Sequence, residues 1–201
     1  MQTQSTGFVL TRQSRDVRGQ TEIVLWTKTD QGPCRLVVQG DKPVCFVASH
    51  DQPNAEGILR AANISVTWRS LPLKSFQHKP MYGCYSQTVR DSLQLTTLLR
   101  GEGIEVFEAD IRLADRYLME RFIRGGISFT GSSQPKAGYI EYQQVKAKAA
   151  DYVPQLSVVS LDIECSEKGI LDSVGLHSEL DSRVIMIGEP TADDTEYSWV
   201  Q

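Results

Sequence analysis

The first fifty residues consist of short runs rich in β-branched and aromatic residues, separated by residues that favour turns. The runs cover residues 8–11, 22–28, 35–39 and 44–48. Turn segments cover residues 29–33 and 40–43, and each contains glycine and proline. Such runs predict β-strands, because β-branched and aromatic side chains pack well on a pleated surface. The chain therefore opens with a meander, which predicts a small antiparallel sheet or a partly closed barrel.

Helical and extended segments alternate after this meander. The pattern predicts helices at residues 55–62, 89–100 and 115–123, and strands at residues 64–69, 81–86, 104–107, 127–130 and 139–146. In the second helix Leu95, Leu98 and Leu99 form an apolar stripe, and Gly101 stands where a helix end favours glycine. In the third helix Leu118 and Phe122 lie four residues apart and share one side. The predicted fold class is α+β with a β-rich N-terminal domain.

Residues 147–156 form a candidate linker that contains Pro154, which cannot donate a hydrogen bond inside a central strand. The sequence therefore predicts an N-terminal domain over residues 1–150 and a second domain over residues 151–201. In the second domain, residues 156–163 form a nearly continuous apolar run, which is typical of a strand buried on both faces. Two further predicted strands, at residues 170–177 and 183–188, are joined by a hairpin.

The composition is that of an ordinary globular domain. Of the 201 residues 40% are hydrophobic, and the formal net charge is −4. A module that holds duplex DNA through its phosphates is usually basic, so this charge argues against strong duplex binding. Lys136, Lys146 and Lys148 come nearest to a basic patch, although three lysines are more typical of a solvated face. No apolar run of transmembrane length and no signal peptide is found, so we expect a cytoplasmic location away from membranes.

The cysteines and histidines argue against a metal site built on sulfur or imidazole. The cysteines are scattered and form no CxxC pair, so free thiols are expected: Cys34, Cys45, Cys84 and Cys165. The three histidines, His50, His78 and His177, lack ligand spacing. Phosphate-loop, dinucleotide-binding and nucleophile-elbow motifs are also absent from the sequence.

Asp162 and Glu164 stand two residues apart at the end of the apolar run. Successive side chains of a strand point to opposite faces, so the two carboxylates share one face while Leu161 and Ile163 point to the other, into a core. Adjacent carboxylates repel each other, and a divalent cation removes that repulsion. Mg²⁺ or Mn²⁺ prefers such oxygen ligands, and two ions about 4 Å apart hydrolyse phosphodiesters in many nucleases. The competing interpretation is two solvated acids at a strand end.

Aromatic residues offer a second, weaker candidate site. Trp68, Tyr82 and Tyr85 present surfaces of the kind on which single-stranded bases stack. Packing within the sheet is the favoured interpretation, because large aromatic side chains are mostly buried. The sequence therefore leaves the nucleic-acid-binding residues unidentified, and it indicates no organic cofactor.

Several segments carry a resemblance to a known family. Residues 159–164 (Val-Ser-Leu-Asp-Ile-Glu) resemble the first exonuclease motif of family B DNA polymerases. Residues 106–111 (Val-Phe-Glu-Ala-Asp-Ile), followed by 116–122 (Arg-Tyr-Leu-Met-Glu-Arg-Phe), resemble the stretch that precedes this motif in the same family. Residues 7–12 and 80–85 are similar to bacterial members. The resemblance covers nearly the whole chain and is weakest between residues 13 and 70.

The resemblance implies a function and a site. It implies that residues 151–201 begin a ribonuclease H-like 3′–5′ exonuclease domain, in which Asp162 and Glu164 are catalytic residues that bind Mg²⁺ or Mn²⁺. It also implies DNA-directed DNA synthesis with proofreading, in DNA replication and repair. The implied partners are primer-template DNA, single-stranded template, deoxynucleoside triphosphates and a sliding clamp. Residues 1–150 would then be a scaffold on the template side. Cys165 stands where many relatives have threonine.

The later nuclease motifs and the polymerase motifs of the family are not found in this sequence. We therefore expect an N-terminal fragment that is inactive by itself. One alternative is a stand-alone module of the oligonucleotide-binding type that engages single-stranded nucleic acid without catalysis. Another is a small metal-dependent nuclease outside the family, for which the sequence places no third carboxylate.

Overall fold

The computed structural model describes residues 4–189 and the backbone of residues 198–200. Its strands are β1 (Ser5–Val17), β2 (Gln20–Thr29), β3 (Gly32–Gln39), β4 (Val44–Ala48), β5 (Val66–Lys74), β6 (Pro80–Ser86), β7 (Val106–Phe107), β8 (Gly126–Lys136), β9 (Tyr139–Ala149), β10 (Ser160–Cys165), β11 (Leu171–His177), β12 (Ser182–Ile187) and β13 (Ser198–Val200). Its helices are α1 (Gln52–Ala61), α2 (Val89–Gly101) and α3 (Leu113–Glu120). The β-rich α+β class is thus confirmed.

The chain divides into two compact units, Met1–Pro154 and Gln155–Gln201, called here the first and the second unit. Within the described residues, no helix combines the length and the apolar character needed to cross a lipid bilayer.

Five strands of the first unit close into a barrel in the order β1-β2-β3-β9-β8. The N-terminal meander supplies β1, β2 and β3, which pair antiparallel. β8 pairs antiparallel with β1, and β9 pairs parallel with β3 from Cys34↔Ile140 to Leu36↔Tyr142. The expected partly closed barrel is therefore fully closed, because strands from far along the chain supply the missing side.

An ion pair lies across the parallel strands that close the barrel. Arg35 and Glu141 are register partners, and their side chains form a salt bridge while only 14% and 12% exposed. A hydrogen bond from the Gln143 side chain and the charge of Arg35 lower the pKa of Glu141 against the opposing effect of burial. The closing pair is thus fixed by both backbone and side-chain contacts.

The barrel has an apolar interior that α3 covers. Ile23, Leu25, Leu36, Ile127 and Phe129 are at most 1% exposed, and each such side chain contributes about 2 kcal/mol through burial. The residues of α3 that join this cluster are Leu113, Ala114 and Tyr117. The helix therefore packs on the barrel through the face that carries these three residues.

A second layer of the first unit is a sheet in the order β5-β6-β4-β7, covered by α1 and α2. Cys45 of β4 and Cys84 of β6 are register partners in its core, next to Leu59, Leu95 and Leu99 of the helices. All four cysteines are free thiols, and three are buried. Successive side chains of β4 and β6 point to opposite faces of the sheet, so one face packs on this core and the other faces away from α1 and α2.

The three helices found among residues 4–189 all end in the same backbone motif. The residue after each C-cap lies in the left-handed region, and the next residue is an isoleucine that donates to the carbonyl five positions back. These residue pairs are Asn63–Ile64, Gly103–Ile104 and Phe122–Ile123. This is the Schellman arrangement, in which the isoleucine packs against the last turn. α2 ends at Gly101, as expected, but Gly103 rather than Gly101 takes the left-handed position. Phe122 likewise lies beyond α3 and is 81% exposed, so it does not share a helical face with Leu118.

A network of hydrogen bonds joins the barrel to α2. Asp16 of β1 accepts from the backbone N–H groups of Val89 and Arg90, at 3.0 Å each, and from the Thr21 hydroxyl at 2.6 Å. These N–H groups are unpaired donors at a helix start, where the helix dipole also favours negative charge. Thr88 caps the next donor, on Asp91, at 3.0 Å. Partial burial opposes ionisation of Asp16, but these hydrogen bonds outweigh it and lower its pKa.

The second unit is a four-stranded sheet in the order β10-β11-β12-β13. The first three strands pair antiparallel, and β13 pairs parallel with β12. The strand expected over residues 156–163 begins only at Ser160, and it is not buried on both faces. Leu161 and Ile163, expected in a core, are 65% and 53% exposed. The reason is that β10 is an edge strand and that no helix of the described second unit covers either face.

We predict that the Asp16 network stabilises the first unit above acidic pH. Asp16→Asn leaves two helix donors with a neutral, weaker acceptor, so the free energy of unfolding should fall by about 1 kcal/mol, the usual difference between a charged and a neutral acceptor. Because the pKa of Asp16 is lowered from its ordinary 3.8, its contribution is complete above that value and is lost as the pH falls through the lowered pKa. Denaturant titrations of both proteins from pH 7 downwards should therefore converge in acid. A constant difference at every pH would contradict the assignment to the charge.

We predict that Phe122→Gly raises the melting temperature. Phe122 is in the left-handed region at φ 54°, which costs a non-glycine residue roughly 1 kcal/mol. Its side chain is 81% exposed, so little packing is lost. Phe122→Ala is the matched control, because alanine removes the ring but keeps the strain. Calorimetry should show stabilisation for glycine alone, and equal melting temperatures for the two variants would refute the strain argument.

Candidate functional site

The two predicted metal ligands lie on β10. Asp162 is the register partner of Gly175, and Glu164 is the register partner of Ser173. Cross-strand partners project to the same face of an antiparallel sheet, so the two carboxylates and the two small residues occupy one face. The small neighbours leave open space beside the carboxylates.

The surroundings of these carboxylates are polar and open. Asp162 Oδ1 accepts a hydrogen bond of 3.0 Å from the backbone N–H of Ile163. The Glu164 carboxylate has no hydrogen bond or ion pair within the described part of the chain. A register shift follows Glu164, and Cys165 is exposed beyond it. Among residues 4–189, no three His, Cys, Asp or Glu side chains form a group that could hold a metal ion.

The lysines that suggested a basic patch do not lie together. Lys146 is paired with Thr130 and Lys148 with Ser128, so both belong to the body of the β8–β9 hairpin. Lys136 is paired with Tyr139 at the tip of that hairpin. Six residues of β8 separate the tip from Thr130, which is roughly 20 Å along a strand. The three charges therefore do not act as one site.

The aromatic residues are divided between two faces of the β5-β6-β4-β7 sheet. Trp68 is the register partner of Cys84 and packs on the buried cluster beneath the helices. Its Nε1–H is buried and has no hydrogen-bond partner. Tyr82 is two residues from Cys84 and shares its face, whereas Tyr85 projects to the opposite face. Packing is thus confirmed for Trp68, and the three rings do not form one stacking surface.

A cavity of about 730 Å³ lies on the face that carries Tyr85. Its walls come from the β5–β6 hairpin, β4, β7 and α3. Sequence reasoning did not find this site, because its walls are far apart along the chain. One local signal was available: Phe76 is a large aromatic residue in an otherwise polar turn, and it is fully exposed.

Comparisons with known proteins agree with this architecture. The family model described as DNA polymerase II, N-terminal, matches residues 7–42, and the model described as DNA polymerase II, insertion domain, matches residues 43–104. DNA polymerase II of Escherichia coli (strain K12) is 35% identical over 187 residues, which cover 93% of this chain and 23% of that protein.

A solved structure shows the same fold. The family B DNA polymerase from the hyperthermophilic archaeon Pyrobaculum calidifontis matches with a TM-score of 0.65 and 15% sequence identity. The match covers 96% of this chain and 27% of that chain. This chain thus spans about a quarter of the length of the relatives it matches. At this identity the structural likeness concerns the fold alone.

Fold and sequence together indicate the class to which the chain is similar: it matches a family B DNA polymerase in fold and two DNA polymerase II models in sequence. Within that class it resembles bacterial DNA polymerase II, whose N-terminal and insertion models match it consecutively. The boundary between those two models falls at residues 42 and 43, in the turn that leads from the barrel to the second layer. The interpretation as a stand-alone single-stranded nucleic-acid-binding module is not favoured.

Proposed function

We propose that this chain is the N-terminal part of a DNA-directed DNA polymerase that also carries a 3′–5′ proofreading exonuclease and acts in DNA replication and repair in the cytoplasm. The observation that carries the proposal is the pair of DNA polymerase II models that match consecutively over residues 7–104. The identity of 35% across 93% of the chain supports it independently. The proposed domains are 1–150, the polymerase N-terminal domain, and 151–201, the start of the exonuclease domain.

In this proposal Asp162 and Glu164 are the catalytic acids of the exonuclease. The two carboxylates suit Mg²⁺ or Mn²⁺, because they are hard oxygen donors on one face of the sheet, where Gly175 and Ser173 leave room for an ion. The bound ions would supply activation of water and stabilisation of the leaving oxygen. The chain's own part is to hold the two carboxylates in register on one strand, with the hydrogen bond from the Ile163 N–H orienting Asp162.

The first unit serves as a scaffold with a contact to DNA on the template side. Its closed barrel and its second layer are joined by the Asp16 network. The proposed partners are primer-template DNA, single-stranded template and deoxynucleoside triphosphates, with a sliding clamp as a further partner. A contact with DNA in a chain of net charge −4 has to be local, because the net charge disfavours duplex binding over the whole surface.

In the longer polymerase, Asp162→Ala combined with Glu164→Ala should abolish proofreading and spare synthesis. Mutation of residues that only support a metal ligand lowers activity by up to about 100-fold. Loss of both ligands themselves should therefore lower the exonuclease rate by more than that. Primer extension should be unchanged, because the carboxylates lie outside the polymerase motifs. Asp172→Asn is the matched control on the same sheet. Loss of both activities in the double variant would contradict the proposed division of labour.

The chain of 201 residues should bind Mn²⁺ weakly through the same face and should not degrade DNA. Mn²⁺ should broaden the amide resonances of residues 162–164 and 173–175 in NMR spectra, because paramagnetic broadening acts only at short range. Asp162→Ala should remove this broadening. Asp172→Asn should keep it, because Asp172 precedes Ser173 on β11 and therefore projects to the opposite face of the sheet. Degradation of a labelled primer that depends on Asp162 would refute the expected inactivity.

A further inference from the structure

The core beneath α1 and α2 contains two cysteines that lie directly opposite each other. Cys45 of β4 and Cys84 of β6 are register partners in an antiparallel ladder, and each is 1% exposed. Opposite residues of an antiparallel pair project their side chains to the same face of the sheet. The fold therefore brings two thiols that are far apart in the sequence together inside one apolar cluster.

The backbone ladder shows which kind of pair the cysteines form. At one end of the β4–β6 ladder, the Ser86 N–H donates to Pro43 O at 3.1 Å. At the other end, the Ser49 N–H donates to Pro80 O at 2.9 Å. Hydrogen-bonded pairs recur at every second position of an antiparallel ladder, so the two cysteines also form a hydrogen-bonded pair. The Cα atoms of such a pair lie about 5.5 Å apart, a separation that is common among disulfides.

The side chains of a hydrogen-bonded pair start slightly too far apart for a relaxed disulfide. Cβ atoms of opposite residues lie about 4.5–5.5 Å apart, with hydrogen-bonded pairs at the wider end, whereas a disulfide needs about 3.5–4.5 Å. A small approach of β4 to β6 closes this gap at the cost of strain. Strained disulfides are easier to reduce, so the position favours a bond that forms and breaks reversibly.

The surroundings of the two sulfur atoms make the thiols unequal. A hydrogen bond with Cys84 lowers the pKa of Cys45 in spite of its burial, and the positive charges of Arg100 and Arg116 act in the same direction. The pKa of Cys84 is raised instead, by the hydrogen bond with Cys45 and by burial. The thiolate rather than the thiol attacks an oxidant. Cys45 is therefore the nucleophile of the pair, and Cys84 is the thiol that follows.

The other two cysteines have different surroundings. Cys34 lies in the barrel, where its sulfur is 3.7 Å from the Thr29 hydroxyl and burial raises its pKa. Cys165 is exposed on β10 of the second unit. Among the described residues, only Cys45 and Cys84 are cysteines that a sheet places in register with each other.

Burial restricts the oxidants that can reach this pair. Both thiols lie in the cluster that α1 and α2 cover, so a reagent has to enter beneath one of these helices. The start of α1 is the weaker cover, because Asp51 at its N-cap makes no side-chain hydrogen bond with the first turn. A close-packed core excludes large reagents, whereas a small hydroperoxide needs only a brief local opening.

We propose that Cys45 and Cys84 are a site of reversible oxidative modification, at which a hydroperoxide joins the two sulfurs in a disulfide that fastens β4 to β6. The Cys45 thiolate attacks the O–O bond: an S–O bond forms, the O–O bond breaks, and the leaving oxygen takes up a proton as alcohol or water. The Cys84 sulfur then attacks the Cys45 sulfur: the S–S bond forms, the S–O bond breaks, and hydroxide leaves with the Cys84 proton as water. Two thiols lose two electrons, and these reduce one hydroperoxide.

The disulfide holds the second layer of the first unit together. It closes a loop that contains α1, β5 and the β5–β6 turn. A cross-link lowers the entropy of the unfolded chain, and strain in the folded chain offsets part of that gain. The melting temperature should therefore rise by roughly 5 °C on oxidation. The site is independent of the proposed polymerase function, because it needs only the sheet and its two thiols.

The test is oxidation of the folded 201-residue chain with hydrogen peroxide, followed by alkylation, digestion and mass spectrometry without reduction. The peptide map should contain a cross-link between Cys45 and Cys84 that has lost two hydrogen atoms, and dithiothreitol should reverse it. The same treatment in denaturant should give mixed pairings, because only the fold sets this register. Free thiols at both positions after peroxide has oxidised Met119, which is 61% exposed, would overturn the proposal.

Alanine variants separate the two thiols and keep the core apolar. Cys34→Ala is the matched control, because it removes a buried cysteine outside the pair, and it should cross-link as the unsubstituted chain does. Cys84→Ala leaves Cys45 without a partner, so its sulfur should stop after gaining one oxygen atom and should react with dimedone on unfolding. Cys45→Ala should leave Cys84 as a thiol.

Two further outcomes would contradict particular parts of the proposal. Equal dimedone labelling in Cys45→Ala and Cys84→Ala would overturn the assignment of Cys45 as the nucleophile. A melting temperature that falls on oxidation, or that rises equally in Cys84→Ala, would overturn the fastening of β4 to β6.

Discussion

The parallel pairing of β3 with β9 is the constraint on which the architecture of the first unit depends. It joins Arg35 to Glu141 across more than a hundred residues of sequence and turns an open meander into a closed barrel. Closure removes the sheet edges that a three-stranded meander would expose to other chains. It also fixes where the chain leaves and re-enters the barrel, so the second layer and α3 are built between two anchored ends. The Asp16 contact with α2 then ties that layer to the barrel rim.

The alternation of side chains along strands gives both units two different faces. In the first unit, Cys84 and Trp68 face the helices, whereas Tyr85 and Arg69 face the cavity. In the second unit, the face of Asp162 carries small and polar partners, and the opposite face of the same strand is aliphatic. The alternation of side chains therefore places the packing residues and the candidate functional residues on opposite faces of each sheet. Elements that approach from elsewhere in the chain decide which face becomes buried.

Local sequence signals located most elements, but they did not identify the left-handed residues that follow the helices. Short β-branched runs between turn residues correctly predicted the meander, and apolar spacing correctly predicted three helices. Backbone hydrogen bonding decides those positions: the left-handed residue is Gly103 rather than Gly101 after α2, and it is Phe122, against its intrinsic preference, after α3. For the candidate metal site, local alternation sufficed to place two carboxylates on one face. It did not suffice to predict that the strand behind them would be exposed.

The sequence by itself determined the β-rich class, the family resemblance and the shared face of Asp162 and Glu164, because each depends on residues close together in the chain. The tertiary structure alone decided that the barrel is closed and that Trp68 packs against the buried cluster beneath the helices. It also decided that Cys45 lies opposite Cys84 and that a cavity lies on the other face of the same sheet. Those features arise from contacts between segments far apart in sequence, whose pairing depends on the free energy of the whole fold rather than on any local pattern.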